Sequence, residues 1–341
     1  MARRLISTRI LRLLVIAAIF VSITIFIVQV DFRMVFAELT KIGWKFFMLI
    51  GVTFVAYLLG TLGWWVCLGT QRRKITVTRL FMIRQVGETV GLYNPTSVIG
   101  GDVLKNELLK PYGISTELTT RSIVGSRITA VLSQLLLLTL AIIWLMSNMD
   151  WTSSAYVKYG LWFFLNLLIV GQIVLFFWLS RTSKTTGANV EEGGCFRRWV
   201  YKVRDLAVQA RCFYQQQSVN FWLSYLLFAL HWLVGSMEFY YILSFLGYNI
   251  PLMESLLLDM GVIAVKSLGA FIPGQLGIEE LGNKLVLAVI GIQAVSVWLV
   301  VSVLRRARQV FWIFIGIICY VLVRKPDTLK LFNYGNPVRQ S

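Results

Sequence analysis

Three arginines, Arg305, Arg306 and Arg308, fall near the middle of an apolar stretch that runs from residue 294 to 323. On a continuous helix they lie roughly 17 to 21 Å from its start, at about 1.5 Å per residue. An arginine at the centre of a bilayer costs about 2.5–3.5 kcal/mol on insertion scales, so each must face protein, water or an anion rather than lipid. The planar guanidinium holds phosphate or carboxylate through two parallel hydrogen bonds, which makes an anionic headgroup a natural partner. The alternative is a loop between two short helices. That loop would contain no Gly, Pro, Asn or Asp to turn it, and it would place three cations outside, against the positive-inside rule. The continuous helix is the expectation.

Acids stand close by in the chain, each just beyond an interruption. Asn94-Pro95 is followed by Gly100-Gly101-Asp102, and Pro273-Gly274 by Gly277-Ile278-Glu279-Glu280. An acid at the start of a half-helix caps it and suits its dipole. Asp102, Glu279 and Glu280 can equally pair with the arginines, and take up protons if transport is proton-coupled; both readings stay open. Arg127, two turns into a predicted helix 122–147, is read either as a site residue or as a side chain snorkelling to the interface. Lys105 is expected at the interface, and Lys266 adds positive charge ahead of Pro273. Gly100, Gly101, Gly274 and Gly277 are expected to allow the chain to reverse and backbones to approach, with amides that can hold an oxyanion. His231 and Glu238, seven residues apart, are read as helix–helix hydrogen-bonding groups.

The two interrupted regions superimpose in sequence. Asp102 follows Pro95 by seven residues and Glu280 follows Pro273 by seven; Gly113-Ile114 and Gly291-Ile292 each follow their proline by eighteen; Arg127 and Arg305 each follow their glycine by fourteen. The offset between the two sets is 178 residues.

These groups need apolar elements to position them. The 341 residues are 57% hydrophobic and 14% charged, well below the quarter expected of a soluble chain. Residues 13–30 carry no charge, enough to cross the hydrocarbon of a bilayer. Arg3, Arg4, Arg9 and Arg12 precede that run, which is too long for a signal h-region and is read as a retained first helix. Predicted spans are 11–30, 46–69, 122–147, 156–180, 220–246 and 294–323, with an interfacial helix inside a cytoplasmic loop 181–219. Three predicted crossings separate the regions 76–113 and 252–291, so one enters from each side. The reading is a single all-α polytopic domain: six transmembrane helices plus two re-entrant helical hairpins, a first repeat in 1–147 and an inverted second repeat in 156–323. Inverted repeats with broken helices build alternating-access transporters around a midplane site.

The formal net charge of +17 gathers in the N-terminal tail, at Arg72-Arg73-Lys74, between Arg181 and Arg211, and from Arg324 to Lys330. Those are the expected cytoplasmic segments, which puts both termini in the cytoplasm and argues against nucleic acid as a partner. Cys67, Cys195, Cys212 and Cys319 are scattered and His231 is the one histidine, so no metal or cofactor is expected. Trp64, Trp65, Trp144, Trp151 and Trp162 are read as interfacial belts. No nucleophile–base pair or Walker loop is present, and neither catalysis nor ATP hydrolysis is expected.

Asn94-Pro95, Gly100-Gly101-Asp102, Leu108 to Gly113 and Arg127, with Pro273, Gly277, Glu279-Glu280 and Arg305, resemble the lysylphosphatidylglycerol synthase transmembrane-domain family, flippase-like membrane proteins of bacteria and archaea. The resemblance runs from the first helix to about Val323. It implies movement of a lipid or lipid-linked headgroup between leaflets, in some members an aminoacylated phosphatidylglycerol, and a central cavity near Asp102, Arg127, Glu280 and Arg305. Full synthases add a soluble aminoacyl-transferase domain after the membrane region; this chain ends at Ser341 and is expected to make no lysyl-lipid. The expectation is translocation of an anionic or polyprenyl-phosphate-linked lipid in a prokaryotic inner membrane, without ATP. Its partner would be a lipid with a phosphate headgroup, with room for a coupling proton or sodium ion and a homo-oligomer. The alternatives are an ion-coupled carrier of a small soluble anion and a non-transporting scaffold for an envelope enzyme.

Overall fold

The computed structural model of the protein describes residues 40–93, 97–148, 155–181, 207–268 and 277–324, together with Arg33 and Ala37. The predicted first helix, most of the basic loop 181–219, Pro95, Pro273 and Gly274 lie outside the described residues. Those described form α1 (Phe46–Cys67), α2 (Val77–Tyr93), α3 (Ser97–Leu109), α4 (Thr116–Asn148), α5 (Ala155–Ser180), a helical segment 207–216, α6 (Ser218–Phe245), α7 (Leu252–Leu268), α8 (Ile278–Val289) and α9 (Val295–Arg324). The described residues contain no strand. Five helices, ending at Cys67, Asn148, Ser180, Phe245 and Val323, are long and apolar enough to cross a membrane.

The second half repeats the element order of the first at the 178-residue offset. α1, α2, α3 and α4 correspond to α6, α7, α8 and α9: a long helix, two shorter ones, and a long helix. α1 ends at Cys67 and α6 at Phe245, 178 residues on. The left-handed glycines agree too. Gly69 and Gly247 follow the first long helix of each half, at φ 58° and 86°, and Gly113 and Gly291 precede the last, at 69° and 85°. A left-handed residue closes a helix cheaply only when it lacks a Cβ, so the same turn chemistry is written twice.

The halves point in opposite directions. At one end of the bundle, Leu80 of α2 and Leu109 of α3 share a core with Trp64 of α1, Ile123 of α4, Leu179 of α5, Phe213, Phe221 of α6 and Val323 of α9. At the other end Leu258 of α7 and Leu287 of α8 pack with Leu49, Phe239, Leu243 and Val297. The α2–α3 pair therefore opens toward the end where α4 begins, and the α7–α8 pair toward the end where α9 begins. Arg72, Arg73 and Lys74 lie at the first end, in a 3-10 turn after α1; Lys74 donates from Nζ to the Gly113 carbonyl at 3.0 Å, joining that turn to the α3–α4 connection.

Small residues let the helices approach. Gly63 of α1 abuts the Phe228 ring of α6, and Gly316 of α9 sits over Thr89 and the Gln85 carbonyl of α2. Gly101 lies against the carbonyl of Gly87, so a Cβ there would overlap backbone. This corrects one expectation: Gly100 and Gly101 are inside α3 and do not make the reversal. Gly101 makes the close backbone approach expected of it, between α2 and α3. Gly277, at φ 80°, does stand at a turn, immediately before α8. α4 also starts earlier than predicted, at Thr116, which makes Arg127 its twelfth residue and moves it about three turns into the helix. α5 packs chiefly on α4, with Phe176 stacked on Trp222 of α6, and Phe163, Leu167, Ile173, Val174 and Phe177 are exposed as a lipid-facing side requires. Trp64 is no belt residue: it is buried, and its Nε1 donates to Ser122 at 3.1 Å.

Candidate functional site

α9 runs unbroken from Val295 to Arg324 and carries its three arginines into the bundle. Arg305 is buried and faces three carboxylates from three other helices. Its Nη1 lies 3.3 Å from Glu238 of α6 and 3.2 Å from Asp259 of α7, and its Nε donates to Glu279 of α8 at 3.1 Å. The guanidinium carbon stands 4.3 Å from the centre of the Phe239 ring, where the quadrupole favours a cation. Arg306, one residue on and turned about 100° around the helix, takes Glu280 at 2.9 Å and Gln309 at 2.8 Å. Arg308 pairs with the far oxygen of Glu238 and donates to the Tyr57 hydroxyl at 3.2 Å. Lys266 of α7 reaches Glu279 at 3.1 Å.

Four cations thus meet four carboxylates, and the network ties α6, α7 and α8 to α9. Charges at this depth are tolerated only when each is matched in this way. Glu280 performs both functions weighed for it: beside holding Arg306, it accepts from the Gly277 amide at 2.8 Å and caps α8.

A second network lies across the α2–α3 pair. Asp102, in the second turn of α3 rather than at a cap, accepts two hydrogen bonds from Arg127, at 3.1 and 2.8 Å. Lys105 is buried rather than interfacial; its Nζ is 2.7 Å from Glu88 of α2 and 3.7 Å from Asp102. Glu88 and Lys266 are mates at the 178-residue offset, so each hairpin is bridged by an ion pair of opposite polarity. His231 and Glu238 do not meet each other. His231 Nδ1 is 2.6 Å from the Ala56 carbonyl, as helix–helix hydrogen bonding predicts, whereas Glu238 belongs to the arginines.

Between the networks is a cavity of about 610 Å³. Thr53 and Tyr57 of α1, Arg84 and Glu88 of α2, His231 and Glu238 of α6, Asp259 and Lys266 of α7, Glu279 of α8, and Arg305, Arg308 and Trp312 of α9 all border it. The volume lies within the roughly 300–1,000 Å³ of small-molecule sites. Of the residues predicted for a site, Arg305, Arg308, Glu279 and Lys266 line this space. Arg306 and Glu280 pair with each other outside this lining, and Arg127, Asp102 and Lys105 stand on the α3–α4 side. Asp259, Arg84 and Glu88 complete the lining without having been singled out. The described residues contain no cluster of His, Cys, Asp and Glu that could hold a metal ion. Cys67 is a packing residue, buried with its Sγ 3.2 Å from Ser224.

A bundle of apolar helices around a charge-lined cavity defines a polytopic helical membrane protein. The chain matches the family described as Lysylphosphatidylglycerol synthase TM region over residues 9–317, and it belongs to that family. No curated protein and no solved structure matches it.

Proposed function

We propose that the protein translocates an anionic lipid, or a polyprenyl-phosphate-linked one, between membrane leaflets, with no covalent chemistry and no ATP. The observation that carries this reading is the charge-lined cavity bordered by helices whose outer faces are apolar. Such a space gives a headgroup polar partners at a depth where lipid gives none, while the acyl or prenyl tails stay in hydrocarbon. The two hairpins opening at opposite ends support it, since an inverted pair can expose one central site to each side alternately. In this reading α2–α3 and α7–α8 are re-entrant, and the basic end with Arg72, Arg73 and Lys74 faces the cytoplasm of a prokaryotic cell. The α9 arginines hold the acidic walls of the pathway in place.

Reconstitution tests it. In vesicles carrying a fluorescent phosphatidylglycerol, the protein is expected to raise the rate at which inner-leaflet label becomes reducible from outside. A rate equal to that of protein-free vesicles, for phosphatidylglycerol and for a polyprenyl phosphate alike, defeats the reading. Transport of a soluble anion under those conditions would assign the protein to solute carriers instead.

A further inference from the structure

The cations lining the cavity differ in one respect. Lys266, Arg305 and Arg308 each lie against a carboxylate at 3.3 Å or less. Arg84 forms no ion pair with another described residue. Its Nη1 donates to the Tyr57 carbonyl at 2.7 Å, and its guanidinium carbon stands 5.8 Å from the Tyr57 ring. Neither Nε nor Nη2 is hydrogen-bonded to another described residue, and the side chain borders the cavity. Gly60 makes room for it: a Cβ at that position would come within 2.8 Å of Nη2. Glu88, one turn along α2, is already engaged by Lys105 at 2.7 Å, which offsets its repulsion of an anion.

Resting on the transport reading above, we infer that Arg84 is the residue that takes the phosphate group of the substrate, through Nε and Nη2, while Nη1 stays anchored on Tyr57. The choice between Arg84 and the α9 arginines follows from what each must give up. Arg305 can accept a phosphate only by releasing carboxylates that are themselves buried, and stripping a buried charge of its partner is strongly unfavourable. Arg84 releases nothing. Its fork is held in place by the Tyr57 carbonyl and ring, so little side-chain freedom is lost when an oxyanion docks.

Equilibrium binding to the purified protein in phosphatidylcholine nanodiscs tests this, with short-chain dihexanoyl phosphatidylglycerol and inorganic phosphate as probes. Arg84→Gln is expected to weaken binding by about tenfold or more, the loss of a charge-assisted hydrogen bond. Arg84→Lys, which keeps the charge and loses the fork, is expected to fall between Arg84→Gln and the native protein. Tighter binding of phosphatidylglycerol than of phosphate assigns the headgroup of a lipid; the opposite order assigns free phosphate, and in both cases Arg84 is the contact. If Arg84→Gln does not fold, Arg84→Lys alone decides, with several-fold weaker binding expected. Native-like binding by whichever variant folds overturns the assignment of Arg84 while leaving lipid transport standing. A native protein that binds neither probe overturns the assignment together with the phosphate substrate on which it rests.

Discussion

Replacing Arg305 by methionine is expected to destabilise the protein by the cost of one orphaned carboxylate, not three. The count comes from the partners that remain. Glu238 keeps Arg308, and Glu279 keeps Lys266 at 3.1 Å and Arg306 at 3.7 Å. Asp259 keeps none, because its ion pair among the described residues is with Arg305. Breaking a buried pair by removing one partner costs about 3–5 kcal/mol. At an unfolding entropy of roughly 2.1 cal/mol/K per residue, the 341 residues lose about 1.4 °C per kcal/mol, so the melting temperature is expected to fall by about 4–7 °C. Thermal unfolding of the purified protein in nanodiscs measures it. Adding Asp259→Asn to the Arg305→Met protein is expected to restore most of the loss, because an amide is far cheaper to bury unpaired. Glu238→Gln in the same background is expected to restore little, since it also deprives Arg308 of its carboxylate. An unchanged melting temperature for Arg305→Met, or equal rescue by the two second substitutions, would refute the reasoning. The double-substitution cycle separates pairwise coupling from any general effect of changing the site.

Arg306→Met is expected to cost less than half as much, because Glu280 is 28% exposed and can recruit water when its partner is removed; the same melting assay checks the order. Gly101→Ala is expected to destabilise despite a helix-propensity gain of up to about 1 kcal/mol, since its Cβ would overlap the Gly87 carbonyl. Gly171→Ala on α5 meets nothing within 4 Å, so it is expected to be neutral or slightly stabilising; a lower melting temperature for both would contradict the α2–α3 packing. Gly291→Ala has equally open surroundings but a φ of 85°, so its expected cost of about 1–2 kcal/mol is purely conformational, and d-alanine introduced there by semisynthesis is expected to remove it.

The parts of this architecture that could be read from the chain were those that depend on a residue's own solvation. A run such as Val295 to Val323 has to be a helix in lipid, and three arginines within it have to find partners, so both the unbroken α9 and its buried charges were foreseeable. Asp259 was open to the same argument: it is an acid within the apolar turn Leu256 to Met260 and had the same need of a partner. Gly100 and Gly101 are expected to reverse the chain because intrinsic propensity makes glycine a helix breaker, and to let backbones approach because glycine has no Cβ. In the fold the second expectation holds at Gly101, whose missing Cβ admits the Gly87 carbonyl, and helix propensity yields to that contact. Arg84 left no trace in the repeat, since position 262, its mate, is valine. Its significance lies in a guanidinium that forms no close ion pair among the described residues, its neighbour Glu88 being held by Lys105 at 2.7 Å, which only three dimensions reveal.

Glu88 and Lys266 show most clearly why matching like with like was insufficient. They occupy equivalent positions, yet one is an acid that binds Lys105 and the other a base that binds Glu279. What the two halves share is an ion pair across the hairpin, not the residues that make it. A search for identical residues finds Pro95 and Pro273, or Gly113 and Gly291, where backbone geometry dictates the side chain. It passes over positions where either sign of charge will serve provided the opposite sign faces it. Combining Glu88→Lys with Lys105→Glu, which swaps the two charges, is therefore expected to preserve folding far better than either single change, which leaves like charges 2.7 Å apart in the native geometry. Equal losses in the single and charge-swapped proteins, measured as melting temperature in nanodiscs, would show that this pair is held by surroundings the repeat does not share.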